Sequence, residues 1–270
     1  FKPELENYVH FALTSQDINS SANMLAIKDV IEDPYSTLIE TLNSHILNLS
    51  FEWKDIPLLA RTHGQPASPT ILGKEFHVYF ERIYNQFKEM SYIKYRTKFG
   101  GATGNFNAHY VAFPDENWRS FADKFISSLN LFRNNFTTQV DHYDNYAEIF
   151  DACHRVNTIL IDLCCDIWLY ISRNLIIQKI NSDEVGSSAM PHKVNPINFE
   201  NAEGNLLLAN NLFQFLSRQL PISRLQRDLT DSTILRNVGL AFGYTFIGIK
   251  SLLTGLSKIM PNHEEIEREL

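Results

Sequence analysis

The sequence predicts an all-α fold, a bundle of long helices built as one domain. Three observations carry that reading. Apolar residues recur at helical spacing over long stretches, as in Leu72, Phe76, Tyr79, Phe80, Ile83, Phe87 and Met90. Strand signals are few. Glycine, proline and polar residues gather in a handful of loops between the long periodic stretches. With 270 residues, 44% of them hydrophobic, the chain can bury a substantial core.

The elements follow in order. Thr14 stands three residues before Asp17, a capping-box pattern that starts a helix running through Met24, Leu25 and Val30 to Asp33-Pro34. A second helix covers residues 36–51. The segment ARTHGQPASP (60–69) reads as a loop, because two prolines and a glycine punctuate it. Ser68 then serves as an N-cap with Pro69 at the first helical position, and the helix from Leu72 to Met90 follows. FGGATGNFNAH (99–109) is another loop, and a short helix covers 116–131. A long helix runs from Asp141 to about Asn174, with Ile149, Val156, Leu160, Leu163, Ile167 and Ile171 as its stripe.

The segment VGSSAMPHKVNPINFENAEGN (185–205) begins as a polar loop and ends as a helix, with Asn195 as cap and Pro196 as the first helical residue. That helix has two apolar faces, Leu208, Leu212 and Phe215 on one, Phe213, Leu216 and Leu220 on the other. Such a helix belongs inside a bundle or at a subunit interface. A last long helix starts near Ser232 and carries Leu240, Phe242, Tyr244, Phe246 and Ile249. From about Leu256 the composition turns more charged, as at the start of a further domain.

Bulk chemistry excludes some functions. The 24 basic and 31 acidic residues leave a formal charge of −7, which argues against a general nucleic-acid or anionic-membrane binder. Cys153, Cys164 and Cys165 make a poor disulfide framework and no CxxC metal pair, and fit free thiols in a reducing cytoplasm. The longest uncharged apolar stretches, 204–217 and 237–249, fall short of the ~20 residues that span a bilayer.

Four loops concentrate polar groups: TSQDIN, RTHGQPAS, GSSAMPHKVNP and LQRDLTDSTILRN. His63 lies between Arg61 and Gln65 and suits proton transfer at neutral pH, although alone it reads equally as a turn residue. Ser187 and Ser188 follow Gly186 but form neither a nucleophile elbow nor a P-loop. Lys193 precedes a helix N-terminus at Asn195-Pro196, a plausible anion site. Arg236, four residues after Ser232, shares a helical face with it, in a stretch that also reads as an ordinary capped surface helix. Gln139 carries no meaning in isolation.

Together the loops carry more. GSSAMPHKVNP resembles the signature loop of the fumarase/aspartase superfamily, and ARTHGQPASPTILGKE resembles its histidine-bearing region. HKVNPINFENAEGN and LPISRLQRDLTDSTILRN narrow the likeness to the adenylosuccinate lyase family, bacterial-type subgroup, with the motifs in that family's order. The resemblance implies the all-α central helical-bundle domain of that superfamily over residues 1–255 and the start of a C-terminal helical domain over 256–270. It implies that the family's N-terminal domain is absent from this chain, which would be the middle of a longer protein.

The implied reaction eliminates fumarate from adenylosuccinate to leave AMP, and from the succinylated aminoimidazole carboxamide ribotide, with no metal or organic cofactor. The implied enzyme is a cytoplasmic homotetramer whose active sites draw on several subunits. Matched residue by residue, Ser187 would be the general base and His63 the general acid. Lys193 and Asn195 would bind substrate carboxylate with Ser188 beside them, and Thr14 and Ser15 would hold the succinyl part. Gln139, Asn201, Arg227, Ser232 and Arg236 would line the rest of the pocket. The rivals are another lyase of the superfamily, such as an argininosuccinate lyase, and a helical interaction module with no substrate.

Overall fold

The computed structural model describes residues 3–179 and 194–270. Long helices dominate, as predicted, with three two-stranded sheets among the described residues. Two compact units arise. The first holds residues 1–35, 92–151 and 214–238; the second holds 36–91, 152–213 and 239–270.

In the first unit α1 (Ser15–Val30) buries Met24 and Ile27 on one side and the hydroxyls of Ser20 and Ser21 on another. Both serines reach Thr97 of β3 (Arg96–Thr97), at 3.0 and 3.2 Å. β3 pairs in parallel with β4 (Phe132–Arg133). Between them lie α4 (Asn107–Ala112) and α5 (Trp118–Ser128), the latter capped by Asn117, whose side chain accepts the Ser120 amide at 3.0 Å. α5 is therefore shorter than the helix expected over 116–131. α6 (Asp144–Ser172) starts three residues later than Asp141, because Asp141 is engaged as an acceptor for Asn134 and the Tyr143 amide.

The stop expected at Asp33-Pro34 is instead a π-helical turn, Ile31–Tyr35, that takes in Pro34, and α2 (Ser36–Glu52) follows directly. A widened turn absorbs a proline that a regular helix interior rejects.

In the second unit, the segment expected to be a loop (60–69) is a β-hairpin. β1 (Pro57–Thr62) pairs antiparallel with β2 (Gln65–Ile71), Thr62 opposite Gln65 and Leu59 opposite Pro69, with a register irregularity between Leu59 and Arg61. Ser68 and Pro69 therefore lie in a strand, and α3 (Leu72–Met90) is capped by extended Ile71. An edge strand tolerates proline, which explains how a helix-start signature ends up in a ladder. α3 starts against the end of α2: a Cβ on Gly73 would sit 2.2 Å from the Ser50 carbonyl oxygen. Only glycine permits that approach.

Ile149, Val156, Leu160, Leu163 and Ile167 of the predicted α6 stripe are buried, whereas Ile171 is half-exposed near the helix end. β5 (Ile176–Gln178) follows. α7 (Ile197–Gln219) begins after Pro196, whose carbonyl accepts from Phe199 and Glu200; the cap is thus Pro196 rather than Asn195. Phe213, Leu216 and Leu220 are buried, while Leu208 and Phe215 are about half-exposed, at 51% and 47%.

α8 (Thr230–Ile234) and a 3-10 turn, Leu235–Asn237, lead into α9 (Val238–Leu256). The joined run Thr230–Leu256 is long and apolar enough to cross a membrane by length and composition, which the sequence stretches taken singly are not. Buried Asn157 of α6 donates to Thr245 of α9 at 3.0 Å. The charged tail stays in the second unit: β6 (Ile259–Pro261) pairs antiparallel with β5, and α10 (His263–Glu269) follows it.

Candidate active site

Predicted site residues stand in both units, and those of the first unit form a cluster. In the first unit the N-terminus of α1 is anchored by Asp17, whose Oδ2 accepts the Thr14 amide at 2.8 Å. Thr14 and Ser15 are thus presented at the positive end of a 16-residue helix. Gln139 donates from Nε2 to Thr14 Oγ1 at 3.4 Å, and Arg227 reaches Ser15 Oγ from Nη1 at 3.5 Å. The structure therefore brings together four residues from three distant stretches of chain. The Nε of Arg227 is buried without a partner.

Asp231 fixes the next residue of this region. Its Oδ2 accepts the Tyr143 hydroxyl at 2.7 Å, and its Oδ1 accepts the Ser232 amide at 2.7 Å and the Ser232 hydroxyl at 3.3 Å. Burial, reinforced by the Asp231 carboxylate, pushes the Tyr143 hydroxyl well above the ordinary phenol range, so it stays a donor. Arg236 is exposed, four residues on from Ser232 in successive helical turns.

Beneath Thr14 lies an ion pair that sequence reading misses. Asp17 and Lys98 are both fully buried, Lys98 Nζ donating to Asp17 Oδ1 at 2.6 Å and to the Gly101 carbonyl at 2.7 Å. The Gly100 and Gly101 amides complete the shell of Asp17 Oδ1, at 2.8 and 3.2 Å. Burial pulls Lys98 below the ordinary lysine range, against the opposing pull of Asp17. The capping box pointed to Asp17; nothing pointed to Lys98, 81 residues away.

In the second unit His63 stands exposed at the tip of the β1–β2 hairpin. His63 and Gly64 both have positive φ, 54° and 72°, the pair of left-handed residues that a tight two-residue hairpin turn requires. Asn195 is exposed just before α7. Asn201, on the first turns of α7, donates to Ser251 Oγ of α9 at 3.0 Å and accepts from Asn205 at 3.1 Å. Among the described residues, no hydrogen bond joins His63, Asn195 and Asn201 to one another. Ser187, Ser188 and Lys193 lie outside the described residues. Among the described residues, no group of three or more His, Cys, Asp or Glu side chains is placed to hold a metal ion.

What these residues can do follows from their chemistry. Hydroxyls at a helix N-terminus with an amide and a guanidinium form a cradle for an anionic group such as a carboxylate or phosphate. An exposed imidazole on a tight two-residue turn can deliver or take a proton.

Residues 1–209 match the family described as lyase, and residues 223–270 match the one described as adenylosuccinate lyase C-terminal. Adenylosuccinate lyase of Dictyostelium discoideum is 52% identical over 270 residues, 97% of this chain and 57% of that protein. That of Escherichia coli (strain K12) is 45% identical over 271 residues, 99% of this chain and 59% of that protein. The Vibrio cholerae adenylosuccinate lyase is 46% identical over 272 residues, with 99% and 60% covered. The chain thus spans somewhat less than two thirds of the length of these relatives.

Proposed function

The chain belongs to the lyase family that its residues 1–209 match, and from that premise we propose that it carries out adenylosuccinate lyase chemistry in purine nucleotide biosynthesis. It eliminates fumarate from adenylosuccinate to give AMP, and from the succinylated aminoimidazole carboxamide ribotide. The observation that carries this reading is the Thr14–Ser15–Gln139–Arg227 cluster at the head of α1, a cradle matched to an anionic succinyl group.

The chemistry assigns the residues their tasks. A proton leaves the carbon next to one succinyl carboxylate, and the purine amino nitrogen leaves the neighbouring carbon. Ser187, ionised to an alkoxide that Lys193 stabilises, takes the proton. The charge that develops in the adjacent carboxylate is stabilised by Lys193 and Asn195, with Ser188 beside them, because donors aimed at developing charge are the largest catalytic contribution. The departing nitrogen is a poor leaving group as an anion, so His63 protonates it as the bond breaks. Thr14 and Ser15 hold the succinyl part. Gln139, Asn201, Arg227, Ser232 and Arg236 line the remainder, the arginines meeting anionic groups despite the acidic overall charge.

The protein acts as a cytoplasmic homotetramer with active sites shared between chains. The half-exposed Leu208 and Phe215 on the outer face of α7 support a helix that meets other subunits. Residues 1–255 serve as the central bundle domain, and 256–270 lead into a C-terminal helical domain.

Calorimetric titration of the complete protein with AMP, adenylosuccinate and argininosuccinate tests the reading. Binding of the first two but not the third is expected. Preference for argininosuccinate would assign a sister lyase, and no binding at all would leave an interaction module.

A further inference from the structure

A hairpin of two strands is marginal by itself in water. Pro66 and Pro69 of β2 supply no amide donors, and the register slips between Leu59 and Arg61. The tip of β1–β2 holds His63 in the left-handed region, as a two-residue turn requires. Contacts outside the ladder add to what holds that tip.

We propose that Glu269 is a positioning residue for His63, acting through a clamp in which one carboxylate joins Arg61 of the hairpin to Arg173 after α6. Arg61 donates from Nη1 to the carbonyl of Gly64, directly after His63, at 3.3 Å. Its Nη2 donates to Glu269 Oε2 at 3.1 Å. The other oxygen of Glu269 accepts from Arg173 Nη2. The Glu269 side chain is only 14% exposed, and the Nε groups of both arginines are buried without partners.

A cavity of about 320 Å³ lies under the hairpin, lined by Arg61, Gly64 and Arg173 and also by Glu75 and Asp166. Those two carboxylates are engaged elsewhere, Glu75 by Thr70 and Lys74 and Asp166 by Tyr79. Glu269 is therefore the carboxylate that holds the two guanidiniums together. Without it two cations face each other, Arg61 is pushed off, and the Gly64 carbonyl loses its tether. His63 then samples positions from which it cannot reach the leaving nitrogen.

The proposal rests on the acid role of His63, and its test separates the two. In the complete protein, Glu269→Gln should lower kcat about 10–100-fold, the scale of a misplaced catalytic group, with AMP affinity unchanged. Glu269→Asp, which keeps the charge, should recover part of the loss.

Unfolding and reassembling mixed tetramers then locates the defect. Glu269→Gln should regain activity with Ser187→Ala, whose hairpin is intact, but not with His63→Gln. A fold-wide defect would not distinguish these partners, so equal recovery with both, or with neither, overturns the clamp. The control mixture of Ser187→Ala with His63→Gln should be active. If it is not, the shared-site reading falls, and the pure variant decides the clamp: unchanged kcat, or kcat lost together with AMP binding, overturns it. If Glu269→Gln does not assemble, Arg61→Lys, too short to bridge Glu269 and Gly64, should give the same pattern, and a normal kcat there overturns it.

Discussion

Replacing Lys98 by methionine isolates the buried ion pair under the head of α1. The side chains have similar length, so packing is nearly conserved while the charge is removed. Asp17 would then be a fully buried carboxylate with three backbone amides, at 2.8, 2.8 and 3.2 Å, and no cation. The Gly101 carbonyl would lose its 2.7 Å donor. Removing one member of a buried pair costs about 3–5 kcal/mol. The three amides keep part of the compensation, which places the expected loss near the lower limit, at about 3–4 kcal/mol. In a chain of this size that lowers the melting temperature by about 6–16 °C.

The assay is urea denaturation with the midpoint compared at constant slope, repeated for Asp17→Asn and the double variant. A coupling of about 2 kcal/mol between the two positions is expected from groups in direct contact. Additive effects, or a loss under about 1 kcal/mol for Lys98→Met, would refute the idea that the pair is dry and mutually dependent. Because Asp17 also holds the Thr14 amide, substrate KM should rise in the surviving Lys98→Met protein.

Other expectations are independent of that pair. Gly73→Ala should cost about 1–3 kcal/mol, since its Cβ would overlap the Ser50 carbonyl oxygen and force α3 away from α2; thermal melts check it. Arg227→Met should weaken binding of AMP or fumarate by about 1.5–3 kcal/mol, the worth of a charge-assisted contact, and calorimetry at two salt concentrations should show a smaller salt dependence than wild type. Although burial pushes Glu269 up, its hydrogen bonds and charge pairing with Arg173 and Arg61 hold it below the ordinary glutamate range. A carboxylate depressed on folding stabilises above its unfolded pKa and loses that stabilisation as pH falls through the folded one. The stability gap between wild type and Glu269→Gln should therefore be constant from neutral pH down to about 4.3 and close below it; a gap that grows on acidification would contradict the pairing.

The long helices were legible because their apolar periodicity is strong. Leu72, Phe76 and Ile83 of α3 are all buried, as their spacing requires. Where reading failed, a local signal met a tertiary override. Ser68-Pro69 is a good helix start, but Pro69 lies opposite Leu59 in a hairpin whose edge leaves its missing amide harmless. Asp33-Pro34 is a good helix stop, but a π-helical turn accommodates it. Within the site, the resemblance supplied Thr14, Ser15, Gln139 and Arg227, and the fold joins these four by hydrogen bonds. The charges that hold the head of α1 and the hairpin were not legible. Lys98 and Glu269 are single charges 81 and 208 residues from the groups they meet, and no periodicity links them. Tyr143 stands just before α6, and only the structure ties it to Asp231.

Joint action of the signature loop and the hairpin histidine in eliminating fumarate is tested by steady-state turnover of adenylosuccinate by the complete protein and its Ser187→Ala and His63→Gln variants. AMP and fumarate should appear in equal amounts without added metal. Ser187→Ala should still bind substrate yet turn over negligibly, and His63→Gln should lose about 10²–10⁴-fold in kcat. A wild-type rate in either variant, or no fumarate from the unaltered protein, would contradict it.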